Sequence, residues 1–308
     1  MLMSQESTSE NQRIDFSAMG TEFFCIVIGS TSETCEALVS LAYDLEAKWS
    51  RFQPNSELMT LNNNPNAEIE VSDFTLRLLS EIQFGYEITS GLFDANVLYP
   101  MISSGFSESR LSRGLHTNWA AQSNSEATVA DIEIDWENKT AKIPQGVGID
   151  AGGVGKGLAA DLMADYALAL GAKGIATFAG GDVSVKGLSK DMKGWKIGIS
   201  NPHNVNEFVG SVNLSRGGLA TSSPHGWQNS KLMTHHIIDP RTKKSSNEQT
   251  LQATVVAANS SHADMLTKMC LLLPIDKAIV EIERLHADAM LISNQNEIHT
   301  TATWQELT

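Results

Sequence analysis

Gly148-Ile149-Asp150-Ala151-Gly152-Gly153-Val154-Gly155-Lys156-Gly157 is the stretch on which the reading of this 308-residue chain turns. It gathers glycines, one carboxylate and one lysine between a strand-like run at 141–143 and a long apolar helical pattern at 158–170. Backbone amides near a helix N-terminus, with a lysine beside them, make an anion site, and phosphate is the usual anion. Lys156 is followed by Gly157, not by Ser or Thr, so this is not a Walker loop. Gly152, Gly153 and Gly155 do not give the G-x-G-x-x-G spacing of a dinucleotide fold either. Taken alone, the stretch also reads as a set of tight turns, since glycine is the default for crowded backbone.

Outward from that stretch, the periodicity predicts a strand over 23–28 and a helix over 34–48 with Leu38, Leu41, Ala42 and Leu45 on one face. Residues 49–64 read as loop. A second amphipathic helix is expected over 72–89, with Ser72 or Asp73 as its cap. Residues 103–126, rich in Ser, Gly and Asn, read as the least ordered internal stretch. A hairpin is expected over 132–143, turning at Glu137-Asn138. The helix after the glycines ends at Gly171, a suitable residue just past a helix terminus. Strands follow at 175–178, 183–186, 195–200, 208–214 and 253–257, and helices at 262–273 and 276–285. Strands and helices in blocks, not in strict alternation, predict an α+β protein.

The composition sets bounds. At 308 residues and 42% hydrophobic content, the chain is long enough for one large domain or two intimate lobes. The formal charge of −14, without a basic stripe, excludes a nucleic-acid partner. An acidic protein that binds a pyrophosphate must offset its own field locally, with amides, a lysine or a metal. Cys25, Cys35 and Cys270 form no C-x-x-C pair, which argues against a disulfide framework and against a zinc site. No apolar window is long enough to span a membrane. The N-terminus has neither a basic nor an apolar leader region, so the chain as given reads as cytoplasmic, or as periplasmic if a leading signal or lipoprotein segment has been removed.

Seven segments carry a more specific signal. They are Met19-Gly20-Thr21, Ser50-Arg51-Phe52 with Ser56-Glu57-Leu58, Ser90-Gly91-Leu92-Phe93-Asp94, the glycine stretch at 150–157, Gly180-Gly181-Asp182, His235-His236-Ile237-Ile238-Asp239-Pro240-Arg241-Thr242, and Ala263-Asp264. In this order the chain resembles the FAD:protein FMN transferase (ApbE) family over nearly its whole length. The resemblance implies an α+β, two-lobed, T-fold-like architecture with FAD bound in the cleft between lobes. The polar residues 1–12 read as a disordered tail, which leaves 13–308 as a single domain, most of it covered by the resemblance. The resemblance also implies that FMN is moved from FAD to a Thr or Ser hydroxyl of an acceptor flavoprotein, with release of AMP. The acceptor hydroxyl attacks the phosphorus on the flavin side, a transfer in which positioning and charge stabilisation do most of the catalysis.

Residue by residue, the resemblance places Met19 and Phe52 against the flavin or adenine, although family members often carry Tyr at the Phe52 position. It places Leu92, Phe93, Asp94 and Asp150 in contact with FAD, Lys156 at the pyrophosphate, and Ile238 against the flavin. The catalytic set is His236 as base for the acceptor hydroxyl, Arg241 steadying the developing phosphate charge, and Lys156. Plainer readings stand beside these. Phe52 and Phe93 read as core or wall residues ahead of specific contacts. Asp182 is either a turn carboxylate or a ligand, and Asp239-Pro240 also suits a turn. Cys270 reads as core. Adjacent residues on a strand face opposite ways, so at most one of His235 and His236 faces a site, and His235 reads as structural.

The chain departs from the family at the metal motif. Members usually read Ala-Asp-x-x-x-Thr, with Asp and Thr both on Mg²⁺. Here Ala263-Asp264-Met265-Leu266-Thr267-Lys268 keeps Asp264 and puts Lys268 at the threonine position. The metal set implied is therefore Gly153 through its carbonyl, Asp264 and Thr267. On a helix, positions 264 and 268 share a face. Lys268 then replaces one charge of the cation, or pairs with Asp264 and silences the site, or points away while Thr267 supplies an oxygen; a plain solvated lysine is a fourth reading. The first is favoured. The alternatives to a transferase are an FAD-binding protein without transfer and a hydrolase of the FAD pyrophosphate.

Overall fold

The computed structural model describes residues 10–109, 114–117, 119, 126–247 and 249–308. Its strands are β1 (Glu10–Ala18), β2 (Thr21–Ser30), β3 (Gly174–Ala179), β4 (Asp182–Gly187), β5 (Trp195–Asn201), β6 (Asn204–Leu214), β7 (Gly217–Ser222), β8 (Thr250–Ala257), β9 (Asp288–Ser293) and β10 (Ile298–Thr300), beside several pairings of two or three residues. Eight of them form one sheet in the order β1-β2-β3-β4-β7-β8-β9-β10, each neighbour antiparallel to the next. The helices are α1 (Ser32–Trp49), α2 (Glu57–Asn63), α3 (Asp73–Ile88), α4 (Leu98–Ser103), α5 (Gly155–Ala169), α6 (Ser260–Cys270) and α7 (Ile275–Arg284). None is long and apolar enough to cross a membrane among the described residues.

β2 reads Phe23-Phe24-Cys25-Ile26-Val27-Ile28, apolar at every position, because the sheet is covered on both faces. Phe23, Cys25 and Val27 pack with Leu38 of α1 and Ala160, Met163 and Ala164 of α5. Ile26 and Ile28 turn the other way, onto a cluster that the β5–β6 hairpin closes with Trp195, Ile197, Ile199, Val212 and Leu214. In β8, Ala253 and Val255 face α6 while Val256 faces the hairpin cluster. Leu251 also faces the hairpin cluster, against the alternation, because a register shift between Thr250 and Gln252 inserts an extra residue.

A second core lies beside the sheet. Leu58 and Leu61 of α2 and Leu76, Leu79 and Ile82 of α3 pack with the end of α1, with Ile143 and Ile149, and with Leu158 of α5. A three-stranded sheet, Ile69–Glu70, Thr140–Lys142 and Glu133–Asp135, closes this smaller lobe. Structures compared below confirm the α+β class.

Several expectations need correction. Residues 10–12 are not tail but the start of β1; residues 1–9 lie outside the described residues. β1 is a sheet-edge strand of alternating exposure, and its polar outward residues hid it. Residues 49–64 are not all loop: Ser56 caps α2, its Oγ accepting from the Met59 amide at 3.1 Å. The helix of the glycine stretch starts at Gly155, so Lys156 sits in its first turn. β9 answers to no predicted element. Part of 103–126 also lies outside the described residues.

Candidate active site

The glycine stretch is held from both sides. Asn62, predicted to lie in a loop, is a buried clamp: its Nδ2 donates to the Ile149 carbonyl at 2.9 Å and its Oδ1 accepts from the Ile149 amide at 2.8 Å. Asn96 Oδ1 accepts from the Gly148 amide at 2.8 Å, and the Asp150 amide donates to the Ala95 carbonyl at 2.9 Å. A short 3-10 turn, Ala151–Gly153, then leads into α5, whose N-terminus has no side-chain cap and leaves amide donors at the cleft. Gly157 serves packing: a Cβ there would lie 2.6 Å from the Ser260 carbonyl oxygen, so α5 and α6 cross at contact distance. Asp161 fastens the crossing, accepting from the Ser260 amide at 3.0 Å and the Ser261 amide at 2.9 Å.

That crossing sets Asp264 of α6 beside Lys156 of α5. Lys156 Nζ lies 3.0 Å from Asp182 Oδ2, 3.7 Å from Asp264 Oδ2 and 3.3 Å from the Gly152 carbonyl. Lys268 Nζ pairs with Asp264 Oδ1 and lies 3.0 Å from Ser222 Oγ and 3.3 Å from Thr267 Oγ1. Asp182 and Asp264 are both buried. Burial works against the Lys156 charge, yet the two carboxylates outweigh it and hold the ammonium above its ordinary range. Burial and the like charge of Asp264 push Asp182 up to about 6. Burial opposes the Asp264 charge too, but Lys156 and Lys268 hold its carboxyl below the usual range. Asp182 is therefore an ion-pair partner, not a turn carboxylate.

The cluster lies at the edge of a cleft of about 720 Å³ between the smaller lobe and the sheet, within the range of small-molecule sites. Its lining includes Met19, Phe52, Leu92, Phe93, Asp94, Asp150, Gly153, Lys156, His236, Ile238 and Lys268. Phe93 is also core, packed against Gly85. Burial pushes the Asp94 carboxyl up. Asp150 pairs with buried Arg51 at 2.8 Å, and Arg51 Nη2 donates to the Phe106 carbonyl at 2.7 Å. Arg51 Nη1 is buried with no hydrogen-bond partner among the described residues, so a donor at the cleft wall awaits an acceptor.

His236 Nδ1 lies 3.1 Å from the Trp227 carbonyl, which can only accept. Nδ1 therefore carries the proton, and Nε2 keeps its lone pair. Burial, then the Lys268 charge, pushes His236 down to about 4. His235 Nε2 lies 3.0 Å from the Ser246 carbonyl and stays in the loop framework.

Two expected site residues stand elsewhere. Arg241 is not among the lining residues: its guanidinium is bidentate on Asp239 at 2.9 and 2.8 Å and reaches the Leu272 carbonyl at 3.0 Å. The Asp239-Pro240 turn is real, and Lys243 ends it with φ 57°. Thr267 is buried with its hydroxyl 2.7 Å from the Asp264 carbonyl and 2.9 Å from Ser222 Oγ, not in the cleft lining. Lys268 does not point away.

These placements test the fit of a divalent ion. Lys268 holds Asp264 Oδ1, and a Cβ built on Gly153 would meet Lys268 Cε at 3.6 Å. The lysine stem thus lies against Gly153 while its ammonium occupies Asp264, the two residues expected to share the metal. Protonated lysine cannot ligate, and Thr267 is turned to its own helix. The donor set does not fit Mg²⁺. Arg51, Ser222 and Trp227 were not assigned roles from sequence; only Arg51 lay within a recognised motif.

Comparison with known proteins adds the rest. A sequence profile described as the ApbE family matches residues 19–291. A Haemophilus influenzae FAD:protein FMN transferase is 28% identical over 86% of this chain and 80% of its own length. A Vibrio cholerae FAD:protein FMN transferase is 25% identical over 86% and 82%. The ApbE protein of Thermotoga maritima superposes with TM-score 0.83 at 23% identity, covering 97% of this chain and 99% of that one. The Vibrio cholerae flavin transferase ApbE gives TM-score 0.78 at 20% identity, covering 97% and 100%.

Proposed function

The chain belongs to the ApbE family, and from that premise we propose that it is an FAD:protein FMN transferase that moves FMN from FAD to a Ser or Thr hydroxyl of an acceptor flavoprotein and releases AMP. The observation that carries the reading is one cleft that joins two ammonium groups, seated on buried carboxylates, with a neutral histidine whose free nitrogen is fixed. FAD is the substrate, and its volume class suits the cleft. Met19, Phe52, Leu92 and Ile238 supply apolar wall for its rings, and Asp94 a polar group for ribose or adenine. Asp150 contributes by holding Arg51, whose free Nη1 offers a donor.

Lys156, with the amides that open α5, faces the pyrophosphate. His236 Nε2 takes the proton of the acceptor hydroxyl. The acceptor oxygen bonds to the flavin-side phosphorus as the bond from that phosphorus to the bridging oxygen breaks, and AMP leaves with the negative charge that Lys156 meets. No step is assigned to a divalent ion or to Arg241.

The test is AMP release from FAD, followed chromatographically, with an acceptor domain, without it, and with its target Ser/Thr changed to Ala. A transferase releases AMP only with the intact acceptor. Release without acceptor identifies a hydrolase. FAD binding without release in any arm identifies a carrier, and either result rejects the proposal.

A further inference from the structure

Lys268 is the residue by which the cleft departs from what the resemblance implies. Resting on the transferase reading above, we propose that the Lys268 ammonium is the resident cation of this cleft, occupying the seat otherwise given to Mg²⁺, so that the chain binds the FAD pyrophosphate without a divalent metal.

An ammonium has three N–H donors and no acceptor. In Lys268 all three have an oxygen within reach: Asp264 Oδ1, Ser222 Oγ at 3.0 Å and Thr267 Oγ1 at 3.3 Å. Three side-chain oxygens thus fix the ammonium where it lines the cleft, and its charge, not a spare N–H, is what it offers the pyrophosphate. Its stem passes Gly153, with Cε 3.6 Å from where a Cβ would stand. The seat is rigid. α6, which carries both Asp264 and Lys268, is fastened to α5 through Asp161 and through the contact at Gly157.

Charge points the same way. Two buried carboxylates, Asp182 and Asp264, already face two ammonium groups, Lys156 and Lys268. The cluster is neutral before any ligand arrives. A divalent ion added to it would bring two more positive charges into a site whose Asp264 oxygen is already engaged, and neighbouring ammonium groups would oppose it. The exchange has a consequence for the substrate. With the ammonium in the seat, added Mg²⁺ has no protein site beside the pyrophosphate. FAD affinity should therefore ignore divalent ions.

The test is a Mn²⁺ titration, with Mn²⁺ standing in for Mg²⁺ as an oxygen-seeking ion, followed by the electron paramagnetic resonance signal of free aqueous Mn²⁺. FAD affinity is measured in parallel by flavin fluorescence, in chelator and in Mg²⁺. The unaltered protein, with or without FAD, should leave the Mn²⁺ signal undiminished, and its FAD Kd should agree within about twofold between chelator and Mg²⁺. Lys268→Thr should take up Mn²⁺ and bind FAD about tenfold more tightly in Mg²⁺ than in chelator. Uptake of one Mn²⁺ per chain by the unaltered protein overturns the proposal, and so does a folded Lys268→Thr that takes up none. If Lys268→Thr does not fold, Lys268→Met keeps the stem and removes the charge. Its FAD affinity should then drop about tenfold, in chelator and Mg²⁺ alike, and unchanged affinity overturns the proposal. All these readouts are of binding. A failure of FMN transfer counts against the transferase reading and leaves the cation assignment standing.

Discussion

On one face of the central sheet, β5 and β6 lay Trp195, Ile197, Ile199, Val212 and Leu214 against Ile28, Val183 and Val185, a cluster built of apolar side chains. On the other face, α5 and α6 bring Lys156, Asp161, Asp264 and Lys268 to Asp182 and Ser184 of β4. The same strand serves both: Val183 and Val185 point one way, Asp182 and Ser184 the other. Buried ion pairs are weak contributors to stability and costly when one partner is lost. Packed apolar clusters contribute stability directly. The hairpin face thus contributes stability alone, whereas the helix face sets a charged cluster beside its own apolar packing. If that division is right, substitutions in the hairpin should change stability alone, and those in the charged cluster should change chemistry, with a stability cost where a buried partner is left unpaired.

The largest effect is expected at His236. Changing it to Ala should lower FMN transfer by about 100- to 10,000-fold, the usual contribution of a positioned base, with FAD affinity moved only a few-fold. Steady-state AMP release and flavin fluorescence check this together. Lys156→Met comes next, with transfer down about 100- to 1,000-fold, as for loss of one preorganised charge-stabilising group, and with weaker FAD binding. Were Lys156→Met as active as the unaltered chain, the helix face would lose its assigned role.

Ile197→Ala probes the other face. Ile197 is buried in the hairpin cluster, and urea unfolding should show a loss of about 2–4 kcal/mol. Transfer per folded molecule should stay within about twofold. Gly157→Ala is chosen to break the division. The added Cβ meets the Ser260 carbonyl at 2.6 Å, so α6 must shift. Stability should fall by about 1–3 kcal/mol, and transfer should fall with it, because Asp264 and Lys268 move with α6.

The smallest effect concerns pH. His236 in the fold titrates at about 4, below its ordinary 6.5. Its neutral form is the one the fold holds, so the stability linked to it is fully present above 6.5 and is lost as pH falls from 6.5 towards 4. The acid limb of the transfer rate should accordingly lie nearer pH 4 than 6.5. Asp182, raised to about 6, works in the opposite sense, costing stability as pH rises from its ordinary value through 6. A pH–rate profile beside a pH–stability profile separates the two groups.

Much of this was legible in the sequence for identifiable reasons. The glycine stretch announced Lys156 because a lysine among glycines before a helix has few other uses. β2 was legible as an unbroken apolar run, and α3 by its Ser72 cap, whose Oγ lies 3.4 Å from the Thr75 amide. α2 was missed because seven residues give too little periodicity, and the asparagines at its end read as loop. Asn62, one of those asparagines, proved to be a clamp on Ile149, a role that exists only in three dimensions. Arg241 stands outside the cleft lining with its guanidinium on Asp239, two residues away, a pairing that the motif does not announce. Lys268 was legible as a departure, but its direction was not. Position 268 faces Asp264 on any helix, yet only the crossing at Gly157 aims that face at the cleft.

The most direct test of the account is the intact mass of an acceptor domain after incubation with this protein and FAD in excess chelator. The account predicts a gain equal to one FMN on the target Ser or Thr, abolished in Lys156→Met and His236→Ala. An acceptor whose mass is unchanged, while an active ApbE relative flavinylates it in Mg²⁺, would contradict it.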